Sequence, residues 1–263
     1  MPNLPIFQVD AFADGPFTGN PAAVVPMPHW PDAVWMQAVA AENNLSETAF
    51  LVGKGGCYAL RWFTPGAEVA LCGHATLAAA WVVFHHLEPG LGRVVFDTAS
   101  GDLSVTAKDD LLAMDFPALP AHPVAAPPDF ASLLGVPPVH VAASERDWLV
   151  EVADPASVLA ARPDLGGLAG LVRPGLILTA AGGRGDFTSR FFAPALGVPE
   201  DPVTGSAHCT LAPYWAERLG KAELAGHQAS RRGGMVGCAV RGSRVVLSGR
   251  CHPYLVGEIL AQS

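Results

Sequence analysis

Most residues able to move a proton lie in two short stretches. Arg61 to Trp81 reads RWFTPGAEVALCGHATLAAAW, and Arg190 to Trp215 reads RFFAPALGVPEDPVTGSAHCTLAPYW. The first carries Cys72, Gly73 and His74; the second carries Asp201, Gly205, Ser206 and Ala207. A third stretch, AENNLSETAFL, sets Glu47 between a helical pattern and an apolar strand. A carboxylate emerging from an element end is a candidate general acid–base, and partial burial is expected to raise its pKa toward a useful value. The same position also suits a solvent-facing glutamate at a strand edge. Both Cys72-Gly73 and Thr204-Gly205-Ser206 precede apolar helical runs. A helix start offers unpaired N–H groups and a partial positive charge, and glycine lets a ligand approach the backbone. Each turn therefore suits a small anion, most simply a carboxylate. Ordinary capping, with Ser206 as N-cap, is the competing reading.

The two stretches resemble one another. Superposing His74 on His208 places Thr76 on Thr210, Leu77 on Leu211, Ala78 on Ala212, Trp81 on Trp215 and Cys72 on Ser206. The Arg-aromatic-Phe-x-Pro signals then align with a shift of five residues, absorbed by the longer ALGVPEDPVTG loop. ASGDLSVTA and RGGMVGCAV continue the likeness, each with glycine in a turn before a strand. A half-length internal repeat follows, and with it two similar halves.

Alternating or β-branched runs predict strands at IFQVDAF, TAFLV, YALRWF, RVVFDT, LSVTA and LLAMDF, then at DWLVEV, LILTAA, TSRFFA, MVGCAV and RVVLSG. Pro31 to Asn43 reads as an amphipathic helix with a stripe of Val34, Trp35, Ala38, Val39 and Ala41. His74 to His86 and Ala207 to Leu219 are apolar nearly all round and should be buried helices. His85-His86 fits a solvated pair at a helix C-terminus. FPALPAHPVAAPP is a Pro-rich connector. It sets the expected halves at 1–116 and 117–252, with residues 253–263 able to pack back on the first. The architecture expected is α+β, each half a sheet wrapping one central helix, with both helix starts aimed into one cleft.

Of the 263 residues, 50% are hydrophobic and 15% charged, which is ample for a full core. The net charge of −8, with no basic cluster, argues against a nucleic-acid partner. The longest apolar run is about half what a membrane-spanning helix needs. No secretion signal is evident, and five unpaired-looking cysteines suit a reducing cytoplasm. A metal site from Cys72, His74, His208 and Cys209 lacks structural-zinc spacing. TGSAH is not a G-x-S-x-G nucleophile elbow, and no phosphate-binding loop or dinucleotide fingerprint is present.

With VDAFADGPFTGNPAAVV, NNLSETAFL, RWFTPGAEVALCGHATLA and EDPVTGSAHCTLAPYW taken in order, the chain resembles the phenazine-biosynthesis PhzF-like family, of the diaminopimelate-epimerase-like fold. The resemblance covers nearly the whole chain. It implies two pseudo-symmetric half-barrel domains and an isomerase site between them that needs no cofactor and no metal. It implies Glu47 as proton carrier, with His74 and Asp201 as the other catalytic residues. Cys72, Gly73, Gly205, Ser206 and Ala207 would bind a small carboxylate-bearing substrate. It also suggests a homodimer. Epimerases of this architecture use one thiol per half; here Cys72 fills the first position and Ser206 the second, which disfavours two-thiol racemisation. Two alternatives stay open: a thiol-based amino-acid epimerase or racemase using Cys72, and a non-catalytic binder of small acids on the same scaffold.

Overall fold

A computed structural model describes residues 3–260. In chain order the first half holds β1 (Leu4–Ala11), β2 (Asn20–Met27), α1 (Ala33–Asn43), β3 (Glu47–Lys54), β4 (Cys57–Phe63), β5 (Glu68–Val69), α2 (Gly73–Val82), β6 (Arg93–Asp97), β7 (Leu103–Lys108) and β8 (Leu111–Pro117). There follow β9 (His122–Pro123), α3 (Phe130–Leu134), β10 (His140–Ala143), β11 (Asp147–Glu151), α4 (Pro155–Ala160), α5 (Leu165–Ala169), β12 (Gly175–Ala181), β13 (Phe187–Ala193) and β14 (Val198–Asp201). The chain ends with α6 (Gly205–Leu219), β15 (Glu223–Gln228), β16 (Gly234–Arg241), β17 (Arg244–Gly249) and β18 (Cys251–Ile259). Two units result: residues up to Asp115 together with those from Ser248 onward, and Phe116–Leu247.

In the first unit the strands run β18-β1-β2-β3-β4-β6-β7-β8, with β5 also on β4. All of the pairs described are antiparallel except β2–β3 and β4–β6. In the second unit they run β9-β10-β11-β12-β13-β15-β16, with β14 also on β13 and parallel steps at β11–β12 and β13–β15. Step for step this is the same path. A parallel pair needs a crossover, and here the crossovers are helical: α1 corresponds to α4 and α5, and α2 to α6. The α+β class and the central helix per half are as the sequence implies.

The duplication is therefore real, but its register differs from the superposition of His74 on His208. Trp62 pairs with Val69 in the first unit and Phe191 with Asp201 in the second, each aromatic following the arginine of the repeated signature. Arg61 clamps Glu68 with two hydrogen bonds of 2.7 Å, and Arg190 clamps Glu200 at 2.7 and 3.0 Å. Each guanidinium also lies over the aromatic two residues on, Phe63 at 5.2 Å and Phe192 at 4.8 Å. Each clamped glutamate stands four residues before a helix N-cap, Cys72 or Thr204, both extended in backbone. The N-cap carbonyl is then met from one turn on, by Thr76 Oγ1 at 2.6 Å and by His208 Nδ1 at 2.8 Å. Cys72 thus corresponds to Thr204, Gly73 to Gly205 and His74 to Ser206. The repeated histidines misled because in the second half the imidazole fills the place of the Thr76 hydroxyl.

Central helix α2 is buried over His74–Ala80 and at Val82, and it packs on β1, β2, β3 and β18. It widens into a π turn over Val83–Leu87, where His85 and His86 lie exposed and His85 stacks on Trp81. Helix α6 buries its first half against β15 and β16. Helix α1 starts two residues later than Pro31 suggests, because Asp32 is the N-cap and accepts from Val34 N–H at 2.9 Å. Its packed face is Met36 and Ala40, with Trp35 and Val39, against Phe50 and Phe63. The expected stripe is corrected at Val34, which is 75% exposed, and at Ala38 and Ala41.

Candidate active site

In the first unit, β3 begins at Glu47 and α2 at Gly73, and their ends meet. Parallel pairing sets Ala22 of β2 beside Glu47, so the carboxylate leaves the sheet where α2 starts. His74 Nε2 lies 3.0 Å from Glu47 Oε2, and Cys72 Sγ lies 3.5 Å from His74 Nδ1. Asn20 Nδ2 stands 3.2 Å from the same Nδ1, and its Oδ1 accepts from Ser46 Oγ at 2.9 Å. The Glu47–His74 contact is close but poorly aligned as a hydrogen bond, so Oε2 and Nε2 are each left without a well-formed one. Buried polar groups short of a partner are met by water, an ion or a bound ligand.

The electrostatics differ from the sequence expectation. Burial pushes Glu47 up, but the charge and close approach of His74 and a contact with Cys72 outweigh it, leaving its pKa below the ordinary value. Partial burial alone would have raised it, as expected from the sequence; the imidazole reverses the sign. Burial pushes His74 down, while Cys72 and Glu47 raise it further, to well above the usual histidine value. Cys72 is only 7% exposed, and burial and then the Glu47 carboxylate push its thiol up, against smaller pulls from His74 and the Ala75 N–H. The helix start does not make it a thiolate.

In the second unit Asp201 ends β14, and its Oδ2 accepts from Thr204 Oγ1 at 2.5 Å. Gln228, fully buried, ties the turn together. Its Oε1 accepts from Thr204 N–H at 2.8 Å, and its Nε2 donates to Asp201 O at 2.8 Å and Thr204 Oγ1 at 3.1 Å. Thr204, not Ser206, is the N-cap; Ser206 is the one part-exposed residue at the start of a buried helix, and Ala207 is buried. His208 is held down to about 4 by burial, so it is a neutral core histidine, and burial pushes Cys209 up to about 12.

The structure thus brings Glu47, Cys72, Gly73 and His74 together, and separately Asp201, Gly205, Ser206 and Ala207. Among the described residues the metal-type cluster is Glu47, Cys72 and His74, with donor atoms within 4.8 Å, and neither His208 nor Cys209 belongs to it. Its donors contact one another: Nδ1 faces Asn20 and Cys72, and Nε2 faces Glu47. Asn20, Ser46 and Gln228 were missed from the sequence, and Thr204 was read as part of its turn but not as the N-cap. A buried amide carries no local signal beyond the glycine of the T-G-N turn that delivers it.

A carboxylate–imidazole pair at a helix start, on a duplicated α+β frame, belongs with the isomerase and epimerase folds. The chain is a member of the phenazine biosynthesis-like protein family, whose model matches residues 9–253. An uncharacterized isomerase of Pseudomonas aeruginosa is 53% identical over 97% of this chain and 98% of its own. A crystal structure of a PhzF-family phenazine biosynthesis protein from Enterococcus faecalis, 42% identical, matches with a TM-score of 0.95 over 98% of this chain and 100% of that one. A probable proline racemase from Agrobacterium radiobacter shares the fold alone, with a TM-score of 0.65 at 10% identity over 98% of this chain and 93% of that one. With its curated relatives named isomerases, the chain is an isomerase of this family. Among the described residues no helix is long and apolar enough to cross a membrane.

Proposed function

We propose that the chain is a cofactor-independent isomerase that moves one proton between neighbouring carbons of a small carboxylate-bearing substrate, with Glu47 taking the proton and returning it. The observation that carries this reading is the Glu47–His74 approach of 3.0 Å with both facing atoms short of a well-formed hydrogen bond. Glu47 rests ionised, ready to act as a base; once protonated it is the acid that completes the transfer. His74 orients that carboxylate. Asp201 and Ser206 polarise and hold the substrate, with backbone N–H groups at Gly73, Gly205 and Ala207 and the Cys72 edge as further contacts. A thiol-based epimerase is less well supported, because Cys72 is held protonated and its counterpart, Thr204, is a hydroxyl that donates to Asp201. The reading carries a cytoplasmic setting and, from the family resemblance, a homodimer, which sedimentation would test.

The test is proton exchange. A panel of small unsaturated carboxylic acids with an acidic C–H is incubated with the enzyme in D2O and followed by proton NMR. Deuterium should enter at least one, and Glu47→Gln should slow that entry roughly a hundred- to ten-thousand-fold. Exchange by Glu47→Gln within about threefold of the parent enzyme would contradict the assignment, and binding of these acids without any exchange would favour a non-catalytic binder.

A further inference from the structure

The T-G-N turn has no part in the chemistry described so far, yet it places a polar side chain against the histidine. Gly19 has φ of 78°, and a Cβ there would lie 2.5 Å from the Ala11 carbonyl oxygen, a backbone atom that cannot yield. The turn so fixed starts β2 at Asn20, paired with Ala11 and fully buried. We infer that Asn20 is a positioning residue: its amide, braced by Ser46, disfavours a proton on Nδ1 of His74, so that the neutral ring carries its single proton on Nε2, facing Glu47. The inference rests on the reading of Glu47 as proton carrier.

A side-chain amide nitrogen only donates. Asn20 Nδ2, 3.2 Å from Nδ1, therefore requires a lone pair on that ring nitrogen. Ser46 Oγ, donating to Oδ1 at 2.9 Å, anchors the other end of the amide in this orientation. The second neighbour of Nδ1, Cys72 Sγ at 3.5 Å, is a thiol and also has a hydrogen to offer. A neutral imidazole with a bare Nδ1 carries its hydrogen on Nε2, the nitrogen 3.0 Å from Glu47.

Two influences then oppose each other at the ring. Glu47 and Cys72 draw it toward the cation. A second proton would arrive on Nδ1, where an amide N–H already points. For the ring to charge, the amide must turn over to present Oδ1, and Ser46 must change from donor to acceptor. The groups facing His74 are thus Glu47 from β3, Cys72 from the helix start and Asn20 from the start of β2, with Ser46, just before β3, holding the far end of the amide. By resisting the full cation, Asn20 keeps the Glu47 carboxylate basic enough to accept a proton from carbon.

The test is nitrogen-15 NMR of the full-length chain labelled at histidine, with the His74 signals assigned among nine histidines by their loss in His74→Gln. On the alkaline side of the titration, Nδ1 should be bare and Nε2 protonated. Asn20→Leu removes the donor at similar size, and proton affinity of the ring should rise roughly three- to tenfold, the worth of one hydrogen bond. Asn20→Asp, nearly the same shape, should raise it further, so that both nitrogens stay protonated to a higher pH than in the parent. This variant decides the matter if Asn20→Leu does not fold. A neutral ring protonated on Nδ1, or an Asn20→Asp titration matching the parent, would overturn the inference. Either result beside an inactive Glu47→Gln leaves the proton-carrier reading standing; an active Glu47→Gln removes that reading, whatever the ring reports.

Discussion

Glu47 owes its ionised state to what lies beside it and not to where it lies in the chain. Its identity as a candidate was legible in L-S-E-T, as were Cys72 and His74 in C-G-H-A-T. The direction of its pKa was not, because that depends on an imidazole 27 residues away closing to 3.0 Å. The depressed value has a consequence for stability. The contribution from Glu47 is fully present above the unfolded glutamate value and is lost as pH falls through the lower folded one. Urea midpoints measured from pH 6 downward should therefore fall in the parent protein below the ordinary glutamate range, with a smaller loss in Glu47→Gln. The acid limb of kcat/KM should lie in the same low range. Cys72 lies at a helix start, a place that favours a thiolate, but it is buried and its thiol is pushed up. Iodoacetamide at neutral pH should label exposed Cys57 first and Cys72 far more slowly, as peptide mass spectrometry would show. Cys72→Ala should keep measurable isomerase activity.

The repeated arginine signature serves as an anchor for the strand that leads into each central helix. Arg61 and Arg190 were visible as a repeat, but their partners were not, since Glu68 lies seven residues on and Glu200 ten. That three-residue difference, together with the change of Thr76 to His208, is what displaced the sequence superposition by two. The clamps should differ in strength. Arg61 and Glu68 have side chains 32% and 42% exposed, where an ion pair contributes about 0.2–1 kcal/mol. Arg190 is 13% exposed and also donates to the Val158 and Ala161 carbonyls, so its loss takes a partner from the Glu200 carboxylate and the Val158 carbonyl, while the Ala161 carbonyl keeps Arg162. Urea denaturation should show Arg61→Ala costing under about 1 kcal/mol and Arg190→Ala about 2–3 kcal/mol. Equal losses would mean that burial does not set the difference.

Across the whole chain the frame is duplicated while the acid–base chemistry is not. Strand register sets Gly175 at the position of Glu47, since Thr48 pairs with Phe63 as Leu176 pairs with Phe192. Ser206 stands for His74 and Thr204 for Cys72, so the second unit keeps the helix start without the proton carrier. The first unit also depends on residues far along the chain. β18 pairs with β1 from Leu4–Ile259 to Ala11–Cys251; the sequence allowed residues 253–263 to pack back on the first half, but CHPYLVGEI, with its internal proline and glycine, did not read as a strand. Truncation after Arg250 should leave β1 with an open edge, and its amides should exchange with solvent much faster than in the full chain. The central claim is that one carboxylate takes the proton and gives it back. For an acid that passes the exchange test, the most direct measurement is a single turnover in H2O with deuterium placed at the donor carbon. Part of the label should reappear on the receiving carbon of the same molecule, and Glu47→Gln should give no turnover. Complete loss of label to solvent, with Cys72→Ala inactive and Glu47→Gln active, would contradict a single-carboxylate transfer.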